Sequence, residues 1–235
     1  MITVYWAATQ SNQLTAKEPA PLASYLAKKF PETQRNQPHV FMKCPAHTDN
    51  IKNTFTLSSN ITYNFSIKDV ENSSIEYGDF PENFENTVNI RSMKDKLFGF
   101  NPLYRIFYTD EPSLEMSGYI NPYHQSNAFA RDCYYISGTF DIGKWFRPLD
   151  MTFMMRDGVM DFSIKDDDIY AYVQFHTKQQ IKFKQFFFTP KIEEYMAAGT
   201  SLTSYKWLKS LKNYYKLPSL KKQIMAEIKA NLLDS

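Results

Sequence analysis

The chain has 235 residues, of which 43% are hydrophobic, 22% charged and 16% aromatic, and its formal net charge is +2. A chain with this many aromatic residues and so ordinary a charge is neither intrinsically disordered nor collagen-like, nor is it a coiled coil. Glycine occurs seven times, which argues against a glycine-rich phosphate-binding loop.

The start of the chain carries no recognisable targeting signal. The segment Met1-Ile-Thr-Val-Tyr-Trp6 lacks the basic start and the long apolar stretch of a signal peptide. No run of about 18 apolar residues follows it, so we expect no membrane span. Cys44 and Cys133 are too few for a disulfide framework, and we expect two buried thiols in a reducing compartment. These features predict a soluble protein that works in a cytosol.

Strand-like runs rich in β-branched and aromatic residues recur along most of the chain. The predicted strands are Ile2–Trp6, Val40–Cys44, Thr54–Leu57, Ile61–Ile67, Leu103–Tyr108, Cys133–Phe140, Met151–Met155, Val159–Ile164, Ile169–Phe175 and Ile181–Phe188. In the last two, apolar and polar side chains alternate, as in a strand with one buried face. Hairpin-linked strands without alternating helices predict a mainly β protein, an antiparallel β-sandwich or a jelly-roll-like barrel.

The connections between the predicted strands differ in character. Residues 69–101 are rich in Glu, Asn and Ser, and we expect a long loop or insertion there with a short helix near Ser92–Leu97. Asp157-Gly158 is typical of a two-residue type I′ hairpin turn. Asp166–Asp168 predicts another tight turn, because aspartate tolerates left-handed backbone conformations.

The composition changes near residue 191. Residues 1–190 therefore form the predicted antiparallel β domain, and residues 191–235 form a basic helical segment, of one or two helices, packed on it. Residues 182–235 contain ten lysines and four acidic residues, a net charge of +6, whereas residues 1–181 carry a net charge of −4. Helical spacing relates Leu208, Leu211 and Tyr215, and after Pro218 it relates Leu220, Ile224, Ile228 and Leu232.

Large apolar side chains in these elements are the candidate core. We expect burial of Trp6, Phe55, Phe107, Phe140, Trp145, Phe153, Val173, Phe175, Phe186 and Ile224. Trp145 lies in the corner Gly143-Lys-Trp-Phe-Arg-Pro148, where we expect its ring to plug the core and Arg147 to pair with an acid.

One set of residues has the composition of a metal site. His47 and Asp49 have the His-x-Asp spacing that, with a distant histidine such as His176, forms the facial triad of a non-haem Fe(II) oxygenase. Lys182 and Lys184 could then pair with a 2-oxoglutarate carboxylate. His39 and His124 are alternative partners. A two-letter match of this kind arises often by chance, so the metal site remains an alternative hypothesis.

The tail segment Tyr205–Lys216 interleaves lysines with aromatic residues. Lys206, Lys209, Lys212 and Lys216 could contact phosphates of a nucleic acid or a partner protein. The favoured interpretation is an amphipathic helix that packs its aromatic stripe on the sheet and exposes its lysines.

Five segments of the chain resemble an uncharacterised family of proteins encoded by marine T4-like tailed phages, including phages of cyanobacteria. They are Ile2–Trp6; Lys43–Ala46 with Lys52–Phe55; Asp110–Leu114 with Asn121–His124; Gly138–Pro148; and Asp167–His176. The resemblance spans residues 2–176, and Gly138–Pro148 is its most specific part. It implies a phage origin and supplies no catalytic residues.

The sequence therefore favours a non-catalytic phage accessory or virion-associated interaction protein, present in the host cytoplasm or the virion. We expect a protein partner or self-association, since aromatic residues are common anchors of interfaces. No cofactor and no membrane association are predicted. An Fe(II)-dependent oxygenase and a nucleic-acid-binding protein are the alternatives.

Overall fold

Strands dominate the computed structural model, which describes residues 1–9, 14–30, 43–78, 87–119, 122–124, 126–136, 138–200 and 218–233. The strands in these residues are β1 (Ile2–Ala8), β2 (Ala20–Pro21), β3 (Thr54–Ser58), β4 (Tyr63–Asp69), β5 (Ser74–Tyr77), β6 (Val88–Ser92), β7 (Leu97–Phe100), β8 (Arg105–Tyr108), β9 (Glu115–Tyr119), β10 (Cys133–Tyr135), β11 (Thr139–Asp141), β12 (Thr152–Met155), β13 (Asp161–Ile164), β14 (Ile169–Phe175) and β15 (Ile181–Gln185).

Helices occupy the connections and the C-terminal part of the chain. They are α1 (Leu22–Lys29), α2 (Pro45–Ile51), α3 (Ala128–Asp132), α4 (Pro190–Thr200) and α5 (Pro218–Ala230). Single 3-10 turns cover Asn101–Leu103 and Pro122–His124. No helix in the described part of the chain has the length and hydrophobicity needed to cross a bilayer.

The described strands form four sheets. Their strand orders are β15-β1-β8, β10-β12-β7-β6, β11-β9-β14-β3-β2 and β13-β4-β5. β1 and β15 run parallel, and the other pairs are antiparallel. The protein is thus mainly β with several antiparallel sheets, as expected, but the described strands do not close into a barrel.

β1 separates two hydrophobic cores. Val4 and Trp6 point into the main core, whereas Tyr5 and Ala7 point into a second core on the other side of the sheet. A strand that is buried on both faces must be apolar nearly throughout, and the sequence of β1 meets this requirement.

The main core is built from aromatic rings. Phe153 lies at its centre, with ring centroids 4.8 Å from Phe162, 5.4 Å from Phe129 and 5.8 Å from Phe98. Stacked and edge-to-face pairs at these distances add to the stabilisation that burial of the rings provides.

The second core lies between the first sheet and the C-terminal helices. Ile192 of α4 and Ile224 and Ile228 of α5 are buried there against Tyr5 and Ile106. A β-bridge between Phe186 and Leu232 joins the end of the chain to the residue that follows β15. Leu208, Leu211 and Tyr215 lie outside the described residues.

Eight of the ten expected core residues are buried, and Phe140 and Trp145 are only partly buried. The expectation for the corner at Trp145 was wrong, because the neighbouring Phe146 is the buried ring, 5.0 Å from Tyr108 in the second core. Trp145 packs on Phe140, and the guanidinium of Arg147 lies over the indole at 4.7 Å.

The predicted hairpin at Asp157-Gly158 was wrong. β12 pairs with β10 and β7, whereas β13 pairs with β4, so the turn connects two different sheets. Gly158 has a φ of 76°, but Asp157 does not have the positive φ that a type I′ turn requires. The turn at Asp166–Asp168 is confirmed: Asp167 has a φ of 68°, and the Asp168 amide donates to Lys165 O.

Other local expectations also needed correction. Within residues 69–101 the described part contains β5, β6 and β7 rather than a long loop. The short helix near Ser92–Leu97 is absent; Lys96, with a φ of 49°, instead ends a turn that leads from β6 into β7. The run Cys133–Phe140 is divided between β10 and β11, which belong to different sheets.

One expectation was a strand at Val40–Cys44, and another was that both cysteines are buried. Residues 40–42 of the predicted strand Val40–Cys44 lie outside the described residues, and Lys43 and Cys44 are not in a strand. Cys133 is buried as expected, but Cys44 is exposed.

Packing of α5 on the β15-β1-β8 sheet can be tested by truncating one buried side chain. Ile228 is fully buried in the second core, so we expect Ile228→Ala to lower the free energy of unfolding by about 2–4 kcal/mol. Gln223→Ala, on the exposed side of the same helix, should change it by less than about 0.5 kcal/mol. Urea denaturation of both variants measures the difference, and equal effects would contradict the described packing.

Candidate binding groove

The five-stranded sheet turns one face towards the main core and the other away from it. Met116 of β9 and Val173 and Phe175 of β14 enter the core. Because successive side chains of a strand point to opposite faces, the residues between them lie on the outer face. The register pairs Tyr119 with Tyr172 and Ser117 with Gln174 across the two strands. This outer face is polar and aromatic.

Helices α1 and α2 cover part of this outer face. Leu22 and Leu26 of α1 and Ile51 of α2 are buried there together with Tyr172. Next to them a cavity of about 230 Å³ remains, which we term the tyrosine groove. Its lining consists of Leu22, His47, Asn50, Ile51, Thr54, Tyr119, Tyr123, Tyr172 and Gln174. None of these nine residues is Lys, Arg, Asp or Glu.

Hydrogen bonds fix the polar side chains of the groove. The Tyr119 hydroxyl donates to Gln174 Oε1 at 2.9 Å, and Gln174 Nε2 donates to the carbonyl of Asn50. The Thr54 hydroxyl donates to the same carbonyl at 3.1 Å, which anchors the last turn of α2 to the sheet. Tyr119 is 39% exposed, so its ring is both accessible and held in one orientation.

A buried histidine–tyrosine pair supports the groove from below. The Tyr172 hydroxyl lies 2.6 Å from His124 Nδ1, and the His124 ring packs on Tyr25 with centroids 4.0 Å apart. Burial, with a smaller effect of Lys29, lowers the pKa of His124 to about 4, so the imidazole is neutral at pH 7. Burial raises the pKa of Tyr172, and the backbone amide of Tyr123 donates to its oxygen. The phenol therefore keeps its proton, and the neutral phenol and the neutral imidazole share one hydrogen bond between the Tyr172 hydroxyl and His124 Nδ1.

A second polar cluster, the hydroxyl row, continues the outer face beyond Gln174. Ser117 Oγ lies 2.7 Å from Thr139 Oγ1 and 2.7 Å from His176 Nε2. A serine beside an imidazole is also the first contact of a nucleophilic dyad. Ser117, however, is almost completely buried and shares its hydroxyl with Thr139, so the contact orders this part of the sheet surface.

Another cavity, of about 310 Å³, lies beside the start of α3 and is lined by Ser126, Asn127, Ala128, Arg131, Ser163, Lys165 and Asp168. Two of its polar side chains, Asn127 and Arg131, are already engaged. Arg131 donates twice to Asp132, and Asn127 both caps α3 and donates to Ile169 O. The tyrosine groove, with an exposed anchored ring, is therefore the stronger candidate site.

The structure does not assemble the hypothetical iron site. His47 lines the tyrosine groove, with its ring 6.4 Å from that of Tyr123, whereas His176 belongs to the hydroxyl row. Asp49 is an exposed residue of α2. Across all residues with described positions, no three His, Cys, Asp or Glu side chains are grouped so that they could hold a metal ion.

The remaining predicted site residues are scattered. Lys182 and Lys184 are exposed on β15, in a different sheet from β14. His124 is buried against Tyr172 and Tyr25. His39 and the tail lysines Lys206, Lys209, Lys212 and Lys216 lie outside the described residues.

Comparison with protein-family models, with characterised proteins and with solved structures finds no match for this chain.

Tyr119, Tyr123, Asn50 and Gln174 were not recognised as site residues from the sequence. One signal was available. In β14 and the residue that follows it, Tyr172, Gln174 and His176 alternate with the apolar residues Val173 and Phe175. This alternation puts three hydrogen-bonding side chains on one face of the strand. The other lining residues come from helices α1 and α2 and from the turn at Tyr123, which are distant in sequence. No sequence pattern indicated that these segments meet.

The buried His124 makes stability depend on pH. In the unfolded chain a histidine binds a proton near pH 6.5, but in the folded protein His124 does so only near pH 4. The unfolded state therefore binds more protons between these values, and stability falls as the pH is lowered through this range. We expect this residue to remove about 2–3 kcal/mol of the free energy of unfolding between pH 7 and pH 4.5.

Denaturant unfolding at the two pH values measures this loss. His124→Asn keeps a hydrogen-bonding side chain near the Tyr172 hydroxyl but does not titrate. The variant should therefore lose about 2–3 kcal/mol less of its free energy of unfolding than the original protein when the pH falls from 7 to 4.5. Gln223→Ala, a change at an exposed residue that does not titrate, should leave the loss unaltered. Identical acid sensitivity of the His124→Asn variant and the original protein would contradict the assignment.

Proposed function

We propose that the protein is a non-catalytic interaction protein, an accessory or virion-associated component of a tailed phage, and that it binds its partner through the tyrosine groove. The similarity of its five segments to proteins of marine T4-like phages supports the phage assignment. The host cytoplasm during infection and the virion are the two places where such a protein acts.

The observation that carries this proposal is the state of Tyr119. The residue is 39% exposed, yet its hydroxyl donates to Gln174, and the Gln174 amide donates to the Asn50 carbonyl of α2. A ring that is fixed before binding loses little conformational entropy on binding. Tyrosine is also among the residues that contribute most to the affinity of interfaces.

The ionisable groups beneath the groove favour binding over chemistry. The Tyr172 hydroxyl and His124 Nδ1 are occupied by each other, and at pH 7 the phenol is protonated and the imidazole neutral. Their role is to hold the Tyr172 ring in the wall of the groove. Contact with nucleic acid through Lys206, Lys209, Lys212 and Lys216 stays a separate prediction, because these residues lie outside the described parts of the chain.

Site-specific photocrosslinking in infected cells tests the proposal. Benzoylphenylalanine, which resembles tyrosine in shape, replaces Tyr119 in one variant and Tyr134 in another. Tyr134 is a matched control because it is also 39% exposed but lies on β10, in a different sheet. We expect irradiation to give adducts of discrete mass from position 119 and none of the same mass from position 134.

Purified virions and cell lysates are both analysed, since they separate a virion component from an infection-phase protein. A self-associating chain would give an adduct of twice the monomer mass. The proposal fails if position 119 yields no discrete adduct in either sample, or if both positions yield the same adducts.

A further inference from the structure

We propose that the ligand of the tyrosine groove is a neutral pyranose ring of a glycan, and that the hydroxyl row binds the next sugar unit. This inference rests on the proposed function, because it takes the groove as the recognition site. It goes further in naming the chemical class of the ligand.

The composition of the described part of the lining favours a neutral ligand. The nine lining residues include three tyrosines, one histidine, two amides and one threonine, but no Lys, Arg, Asp or Glu. Phosphates and carboxylates are bound by cationic side chains, which form charge-assisted hydrogen bonds with them. A single-stranded nucleic acid likewise needs a positively charged groove beside its stacking rings. The nine described lining residues carry no counter-charge for an anion or a cation, and the ammonium group of the neighbouring Lys29 is bonded to the carbonyl oxygen of Tyr123.

The mixture of rings and amides fits the two kinds of surface on a sugar. A pyranose has an apolar face of C–H groups, which packs on an aromatic ring, and a rim of hydroxyls that both donate and accept hydrogen bonds. Tyr119 presents the exposed ring. The exposed amide of Asn50 lines the same groove. The phenolic oxygen of Tyr119 donates to Gln174 and can still accept a hydrogen bond from a sugar hydroxyl. Amides both donate and accept, as sugar hydroxyls require.

The size of the groove limits the ligand to one ring at this position. Its volume of about 230 Å³ is below the roughly 300–1,000 Å³ that pockets for drug-sized molecules occupy. A folded peptide segment or a large planar cofactor would not be enclosed. A single sugar unit, with the rest of the glycan continuing along the surface, is consistent with this volume.

The hydroxyl row supplies the continuation. Ser117 and His176 each lie two residues along their strands from Tyr119 and Gln174, so they share the outer face at a spacing of roughly 7 Å. Thr139 and His176 are exposed, and they offer one hydroxyl and an imidazole to hydrogen-bond with further sugar hydroxyls, while the buried Ser117 holds both in place. The glycan would therefore run along β9 and β14.

Binding of the full chain to a glycan array and to methyl pyranosides tests the proposal. The probes are the neutral methyl glycosides of glucose, galactose, mannose and N-acetylglucosamine, their neutral oligosaccharides, and glucuronic and sialic acid glycans as charged comparisons. We expect saturation-transfer NMR to show binding of a neutral glycoside through the protons of one ring face.

Matched variants locate the site. Tyr119→Ala should weaken binding by about tenfold or more. Tyr119→Phe, which keeps the ring but loses the hydroxyl, should weaken binding by less than Tyr119→Ala, and Tyr134→Ala should have no effect. His176→Ala should weaken binding of neutral oligosaccharides while leaving that of the single methyl glycoside unchanged.

The outcomes separate this inference from the proposed function. If no neutral glycan binds while position 119 still gives a discrete crosslink to a protein, the glycan assignment is wrong and the interaction site stands. If neither is observed, both proposals fail. Binding of acidic glycans alone, or equal losses from Tyr119→Ala and Tyr134→Ala, would also overturn the glycan assignment.

Discussion

Burial of β1 on both faces is the constraint on which the rest of the structure depends. Its side chains alternate between the aromatic main core and the second core, so each face needs its own covering layer. The main core supplies one layer, and α4 and α5 supply part of the other. The hydrogen bonds of β1 are satisfied on one edge by β8 and on the other by β15. A polar residue anywhere from position 4 to position 8 of this strand would therefore be buried whichever way it pointed.

The same alternation explains why the candidate groove can be rigid. Each outward residue of β9 and β14 is flanked by inward residues, such as Met116 and Phe175, that are fixed in the main core. The floor of the groove cannot shift without disturbing that core. The buried pair of His124 and Tyr172 adds a second restraint from the side of the turn. A binding surface built on strands is in this way more sharply positioned than one built on a loop.

Strands with strong side-chain patterns could be predicted from the sequence, but their partners could not. The alternation in Ile169–Phe175 and the apolar run of β1 both reflect burial, which is a local signal. The turn residues Asp157-Gly158 marked a real change of direction, yet turn chemistry does not specify that the strands on either side belong to one sheet. Trp145 was misplaced for a similar reason, because size alone does not decide which ring of Trp145-Phe146 faces inward.

The groove could not be predicted because no single segment contains it. His47 and Asn50 come from α2, Tyr119 and Tyr123 from β9 and the turn after it, and Tyr172 and Gln174 from β14. The pairing of β14 with β9 on one edge and with β3, which follows α2, on the other brings these parts together. The His-x-Asp spacing at His47 and Asp49 wrongly suggested a metal site. Two residues that are close in sequence on a short helix need not have their side chains on the same surface.

The parallel pairing of β1 with β15 also has a consequence for the order of folding during synthesis. Ile2 is matched with Ile181, so the 178 residues between them must leave the ribosome before β1 finds this neighbour. Until then an apolar segment has one edge open to other nascent chains, which is the state in which β-rich proteins most readily aggregate. Chaperones that hold unfinished chains, or slower translation, should therefore raise the yield of native protein more than changes made to its surface.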